Sequence, residues 1–122
     1  MNEVFDDKSE KLYRAIFPEN KRPGFWKRNG KPSSAAFKDR RGLSVDRAGG
    51  RKNKDCVQSM SERFQGHIVS VDVESCTSVE CYLKYCPSEN NNFHTEIHGS
   101  KDRVLLDEFQ ALKLANSAHM EK

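Results

Sequence analysis

Nowhere in these 122 residues does an apolar run approach the ~20 residues needed to cross a bilayer. That excludes a membrane-spanning helix and, with it, a membrane partner of that kind. The opening "MNEVFDDKSEKLYR" has no basic stretch followed by an apolar one, so no secretory signal is read there. The CxxC knuckle of structural zinc sites is missing. So is the Gly-Lys-Ser spacing of a phosphate-binding P-loop. No internal repeat and no regular strand–helix alternation is present, and no cofactor is implied. Hydrophobic residues are scarce, at 35%, while charged residues reach 32%, which describes a folded and very soluble chain. Residues 1–122 suit a single domain with its own core. The expected setting is intracellular and cytoplasmic. The four cysteines, Cys56, Cys76, Cys81 and Cys86, are then expected to be reduced thiols.

What the chain does have is a lopsided charge distribution. The net charge is only +3, yet residues 21–54 carry +10 and the remainder −7. The basic, loop-rich segment spans 18–54 and holds Lys21, Arg22, Lys27, Arg28, Lys31, Lys38, Arg40, Arg41 and Arg47. Phe25, Trp26 and Phe37 are interleaved with these cations. Cations bind phosphates and rings stack bases, so this combination suits RNA or single-stranded DNA. It equally suits a solvated face, or one that pairs with the acidic remainder. No helix-turn-helix, zinc finger or aromatic ribonucleoprotein motif narrows the choice.

Periodicity supplies the elements. "KSEKLYRAIF", residues 8–17, reads as a strand stopped by Pro18. Residues 18–33 form a Pro- and Gly-rich loop in which Phe25 and Trp26 either pin the loop to the core or form an exposed platform. Residues 33–48 read as a hairpin, with "SAAF" and "LSVDRA" as its arms and "KDRRG" as its turn. A basic connector follows at 49–54. A helix is expected over 55–65, capped by Asp55, with Cys56, Val57, Met60 and Phe64 on one face. Strands follow at 67–74, 79–86 and 93–98. A second helix is expected over 102–119, with Leu105, Phe109 and Leu112 flanked by Leu106 and Ala115 as its apolar stripe. The tail "MEK" should fray. The expected class is α+β: a mostly antiparallel sheet of about five or six strands packed by two helices.

Two places invite chemistry. In "FHTEIH", alternation puts Phe93, Thr95 and Ile97 toward the core, and His94, Glu96 and His98 on the other face. Imidazole serves as acid or base near neutral pH, and a carboxylate can orient it or bind a ribose hydroxyl. The same spacing is also what any half-buried strand shows. Three ligands on one strand seldom converge on a single ion, so no metal is assigned. The second place is "RPGFWKRNGKPSSAAFKD", where backbone N–H groups and cations could meet an anion.

The motifs "LYRAI", "KPSSAAFKDRRGLSVDR" and "FHTEIHG" resemble a family of small bacterial proteins with no established activity. The resemblance covers Leu12 to Gly99 and implies that Arg14, Ser33, Ser34, His94 and Glu96 belong to recurring motifs. A looser similarity is to ADP-ribosyltransferase-type folds, which set an early Arg or His, a mid-chain Ser or Tyr and a late Glu around nicotinamide. Arg14, Ser33 or Ser34, and Glu96 stand in that order.

Three functions follow as expectations. The first is binding of a phosphate-rich partner, nucleic acid above all, through Lys21, Arg22, Trp26, Lys27, Arg28, Lys31, Lys38, Arg40, Arg41 and Arg47. The second is an enzyme acting on a nucleotide or NAD-like ligand, with Arg14, Ser33, Ser34, His94 and Glu96 as its working residues. The third is a toxin–antitoxin or phage-conflict component acting through protein contact.

Overall fold

Strand β1 (Lys11–Ile16) lies inside the sheet and is buried on both faces. This explains why "LYRAI" is apolar almost throughout. The computed structural model describes residues 4–122. Its other strands are β2 (Leu43–Arg47), β3 (His67–Asp72), β4 (Tyr82–Tyr85), β5 (His94–His98) and β6 (His119–Met120). They form one six-stranded sheet in the order β4-β5-β2-β1-β3-β6, antiparallel at every pairing. Three helices complete an α+β fold: α1 (Asn53–Arg63), α2 (Val73–Ser78) and α3 (Glu108–Ser117).

The two sheet faces differ. One buries Leu12, Ile16, Leu43, Val45, Val69, Leu83 and Ile97 beneath α3, α2 and the turn Ser34–Phe37. On the other face α1 packs over β1 and β3, seating Cys56 and Met60 against Tyr13 and Ile68. Farther along this second face, toward β2, β5 and β4, stand Ser44, His94, Glu96 and Lys84, half-buried or exposed.

Several expectations need correction. "SAAF" is a 3-10 turn over Ser34–Phe37, not a hairpin arm. β2 instead pairs with β1 and β5, both remote in the chain. Ala36 and Phe37 are adjacent and both buried, which a strand with one solvated face would not allow. The third strand stops at Asp72, whose carboxylate accepts from the Ser75 N–H and starts α2, a helix not anticipated. The last helix begins six residues later than expected (Glu108, not Asp102) because Asp107 and Gln110 form a capping box. The shorter helix turns Ala111, Leu114 and Ala115 inward, with Leu106 buried just before it, leaving Phe109 at 61% and Leu112 at 41% exposed. The tail does not fray: β6 pairs with β3, and both Glu121 and Lys122 donate their N–H groups to the Ile68 carbonyl. Trp26 pins its loop, donating to the Phe17 carbonyl at 2.8 Å and meeting the His67 ring edge-on at 5.0 Å.

Candidate functional site

Antiparallel register assembles the site. Across β5, Asp46 and Ser44 of β2 stand opposite His94 and Glu96. On the other side, Lys84 and Tyr82 of β4 stand opposite Glu96 and His98. One residue beyond β4, Cys86 donates its N–H to the His94 carbonyl at 3.0 Å, so its side chain joins the same row. Glu96 is the hub. Its Oε1 is 2.8 Å from His98 Nε2, and its Oε2 is 3.7 Å from His94 Nε2. Its carboxylate lies against Gly42, where an added Cβ would fall 2.5 Å from Oε1. Gly42 also has φ +113°, a backbone state that favours glycine. Burial, helped by the Glu96 charge, raises the Cys86 thiol above its ordinary value.

A cleft opens beside this row because β1 and β2 part. β1 pairs with β3 along its whole length, but with β2 only at Leu12↔Arg47 and Tyr13↔Asp46. Beyond that point the Arg14 guanidinium donates to two backbone carbonyls, Ala36 at 2.8 Å and Ser44 at 3.0 Å. Burial pushes its pKa down to about 10, opposed by the Asp39 charge, so Arg14 stays cationic at neutral pH. The cleft holds about 630 Å³ and is lined by Arg14, Phe17, Asp46, Arg63, Phe64 and His94 among others. Arg63, at the end of α1, is ion-paired with the buried Asp46. Asn91 donates to the second Asp46 oxygen at 2.8 Å.

Of the residues singled out from the sequence, Arg14 and His94 meet at this cleft, and Glu96 lies beside His94. Ser33 and Ser34 do not join them. The Ser33 hydroxyl donates to the Gly24 carbonyl at 2.6 Å, and Ser34 bonds Glu108 of α3. The basic segment is divided. Arg47 is bound to Glu10 at 2.7 Å with both side chains largely buried. Lys38 pairs with Glu108, and Lys27 donates to Asn116 at 2.7 Å. Arg22 lies 5.9 Å from both the Phe17 and Phe25 rings. Lys21, Arg28, Lys31, Arg40 and Arg41 are exposed.

Sequence reasoning missed Arg63, Asp46 and Asn91, and weighed Cys86 only with the other cysteines, never with His94 and Glu96. Asp46 and Arg63 reach the site through pairing and packing of segments remote in the chain, while Cys86 meets His94 across the turn between β4 and β5 and Asn91 lies within that turn. No family model, no curated protein and no solved structure matches the chain.

Proposed function

We propose that the protein binds a small anionic, ring-bearing ligand of the nucleotide or NAD-like kind in the cleft, and acts on it with the His94–Glu96 pair. One observation carries this: Arg14 of β1 and His94 of β5 line the same concave space. Its volume, about 630 Å³, falls within the ~300–1,000 Å³ of small-molecule sites. A guanidinium has five N–H groups, of which Arg14 commits two to backbone carbonyls. Arg14 and Arg63 supply the planar forks that suit phosphate oxygens. Phe17 and Phe64, 51% and 45% exposed, offer apolar faces to a ring. His94 is placed for proton transfer, and His98 holds Glu96 beside it.

Nucleic acid bound along residues 21–54 is less well supported. Trp26, Lys27, Lys38 and Arg47 are already engaged within the fold. Binding to short RNA or DNA that weakens steeply with salt would restore that reading.

The test is titration with ADP and NAD, followed by calorimetry and thermal melting. One equivalent should bind and raise Tm, and Arg63→Ala or Phe64→Ala should weaken binding by about tenfold. No response to either compound at millimolar concentration overturns the proposal. Any turnover found should vanish in His94→Ala and Glu96→Gln with the melting temperature unchanged. If both variants only lower Tm, the pair is structural.

A further inference from the structure

We propose that the β4–β5 face is a divalent transition-metal site, suited to zinc, in which Cys86, His94 and Glu96 supply three ligands. The site deepens the cleft reading, since a metal here would sit beside the ligand. It rests on that reading only for what the metal acts upon: with the ion bound, His94 and Glu96 would serve as its ligands in place of the proton-transfer role, and the geometry of the site is independent.

Cross-strand pairing brings the three together. His94 and Glu96 alone are two residues of one strand. The β4–β5 register adds Cys86 from the neighbouring strand, directly opposite His94. One donor atom from each of the three residues lies within 4.8 Å of the others. Metal–ligand bonds of ~2.0–2.3 Å in a tetrahedron put ligand atoms about 3.3–3.6 Å apart. Side-chain rotations of about an ångström would therefore close the set.

Glu96 is already oriented for this role. Its Oε1 is taken by His98 at 2.8 Å, while its Oε2 stands 3.7 Å from His94 Nε2. That gap is too long for a hydrogen bond, yet it matches two atoms sharing one ion. His98 then acts as the outer partner that fixes a ligating carboxylate. Gly42 leaves the space in which the carboxylate sits.

The donor chemistry selects the ion. A thiolate, an imidazole and a carboxylate favour zinc over magnesium or calcium, which prefer oxygen alone. Two anionic ligands offset the double charge, and the exposed Lys84 opposite Glu96 is the one cation that opposes binding from β4. Three protein ligands leave a fourth position for water or substrate, the pattern of catalytic rather than structural zinc. His94 lines the cleft, so that position adjoins the space where the ligand would lie.

The test titrates the full chain with zinc, and separately with cobalt(II), with no nucleotide present. One equivalent should bind. The cobalt form should show the near-ultraviolet thiolate charge-transfer band and the strong visible bands of a tetrahedral site. Cys86→Ser should abolish the thiolate band. His94→Gln and Glu96→Gln should each weaken zinc binding at least tenfold, with unchanged far-ultraviolet circular dichroism. Zinc should also protect Cys86 from iodoacetamide. Failure to bind one equivalent at micromolar zinc overturns the site, as does a cobalt spectrum that Cys86→Ser leaves unchanged. Because no nucleotide enters the measurement, failure of the cleft reading would leave these results untouched.

Discussion

Gln110 shows how much one polar side chain decides. It is only 4% exposed, yet all its hydrogen-bonding positions are used. Its amide nitrogen donates to the carbonyls of Val79 and Gly99, at 2.9 and 2.8 Å. Its oxygen accepts from Arg103 and from the Asp107 N–H, at 2.9 and 3.0 Å. The residue thus ties the start of α3 to the segment after α2 and to the end of β5. Gln110→Ala would strand two carbonyls, so a loss of ~2–4 kcal/mol is expected in urea denaturation. A change below ~0.5 kcal/mol would mean that water replaces the amide without penalty. The local sequence marks Gln110 by its capping-box spacing from Asp107, but not by the burial of its amide. A glutamine on a helix reads as a solvated position until its helix is placed. By contrast, the burial of Thr95 and Ile97 follows from alternation alone.

At the scale of elements, the edge strand β6 hangs on Glu121. Burial alone would raise its carboxyl. Hydrogen bonds from Ser70, Lys11 and Asn53 outweigh that and hold it below the ordinary range. A depressed folded value means stability that is present above the unfolded pKa, ~4.3, and lost as pH falls below it. Hydrogen exchange should therefore show the Glu121 and Lys122 amides opening before those of β1 as pH drops from 6 to 3. Glu121→Gln should flatten that dependence, and simultaneous opening of β6 and β1 would refute it. The turn into β2 allows a second check. Gly42→Ala would press a methyl group against Glu96 at a strained φ. It should lower stability by ~1–3 kcal/mol and disturb the His98 ring resonances by NMR. Unperturbed His98 resonances would show that Glu96 does not depend on this glycine.

Across the whole molecule, the charge asymmetry becomes partly internal. Arg47 and Lys38, from the basic segment, meet Glu10 and Glu108 of the acidic remainder. Arg47 also lies over the Phe5 and Tyr85 rings, at 4.2 and 4.9 Å. Those cations serve the fold before any partner. The cysteines divide in the same way. Cys56 and Cys76 are fully buried and Cys81 is 4% exposed, while Cys86 is half-buried. Burial drives the Cys81 thiol up to about 12, far from the reactive thiolate form at neutral pH. Native protein should therefore react with a thiol reagent at one cysteine and denatured protein at four. Cys86→Ser should leave the native form unreactive over the same interval. Rapid labelling of a second cysteine would contradict the packing around it.

The sequence by itself determined the α+β class, β1, the core face of β5 and the position of α1 to within two residues. Each is a matter of short-range periodicity and of where proline or glycine interrupts it. Only the tertiary structure decided that β2 pairs with β1 and β5 and that the tail becomes a strand. It alone brought Arg14, Arg63 and His94 around one cleft, and Cys86 beside His94 and Glu96. The physical reason is that strand register and helix docking are set by contacts between remote segments. A residue's neighbours along the chain do not reveal which residue will stand opposite it in the sheet.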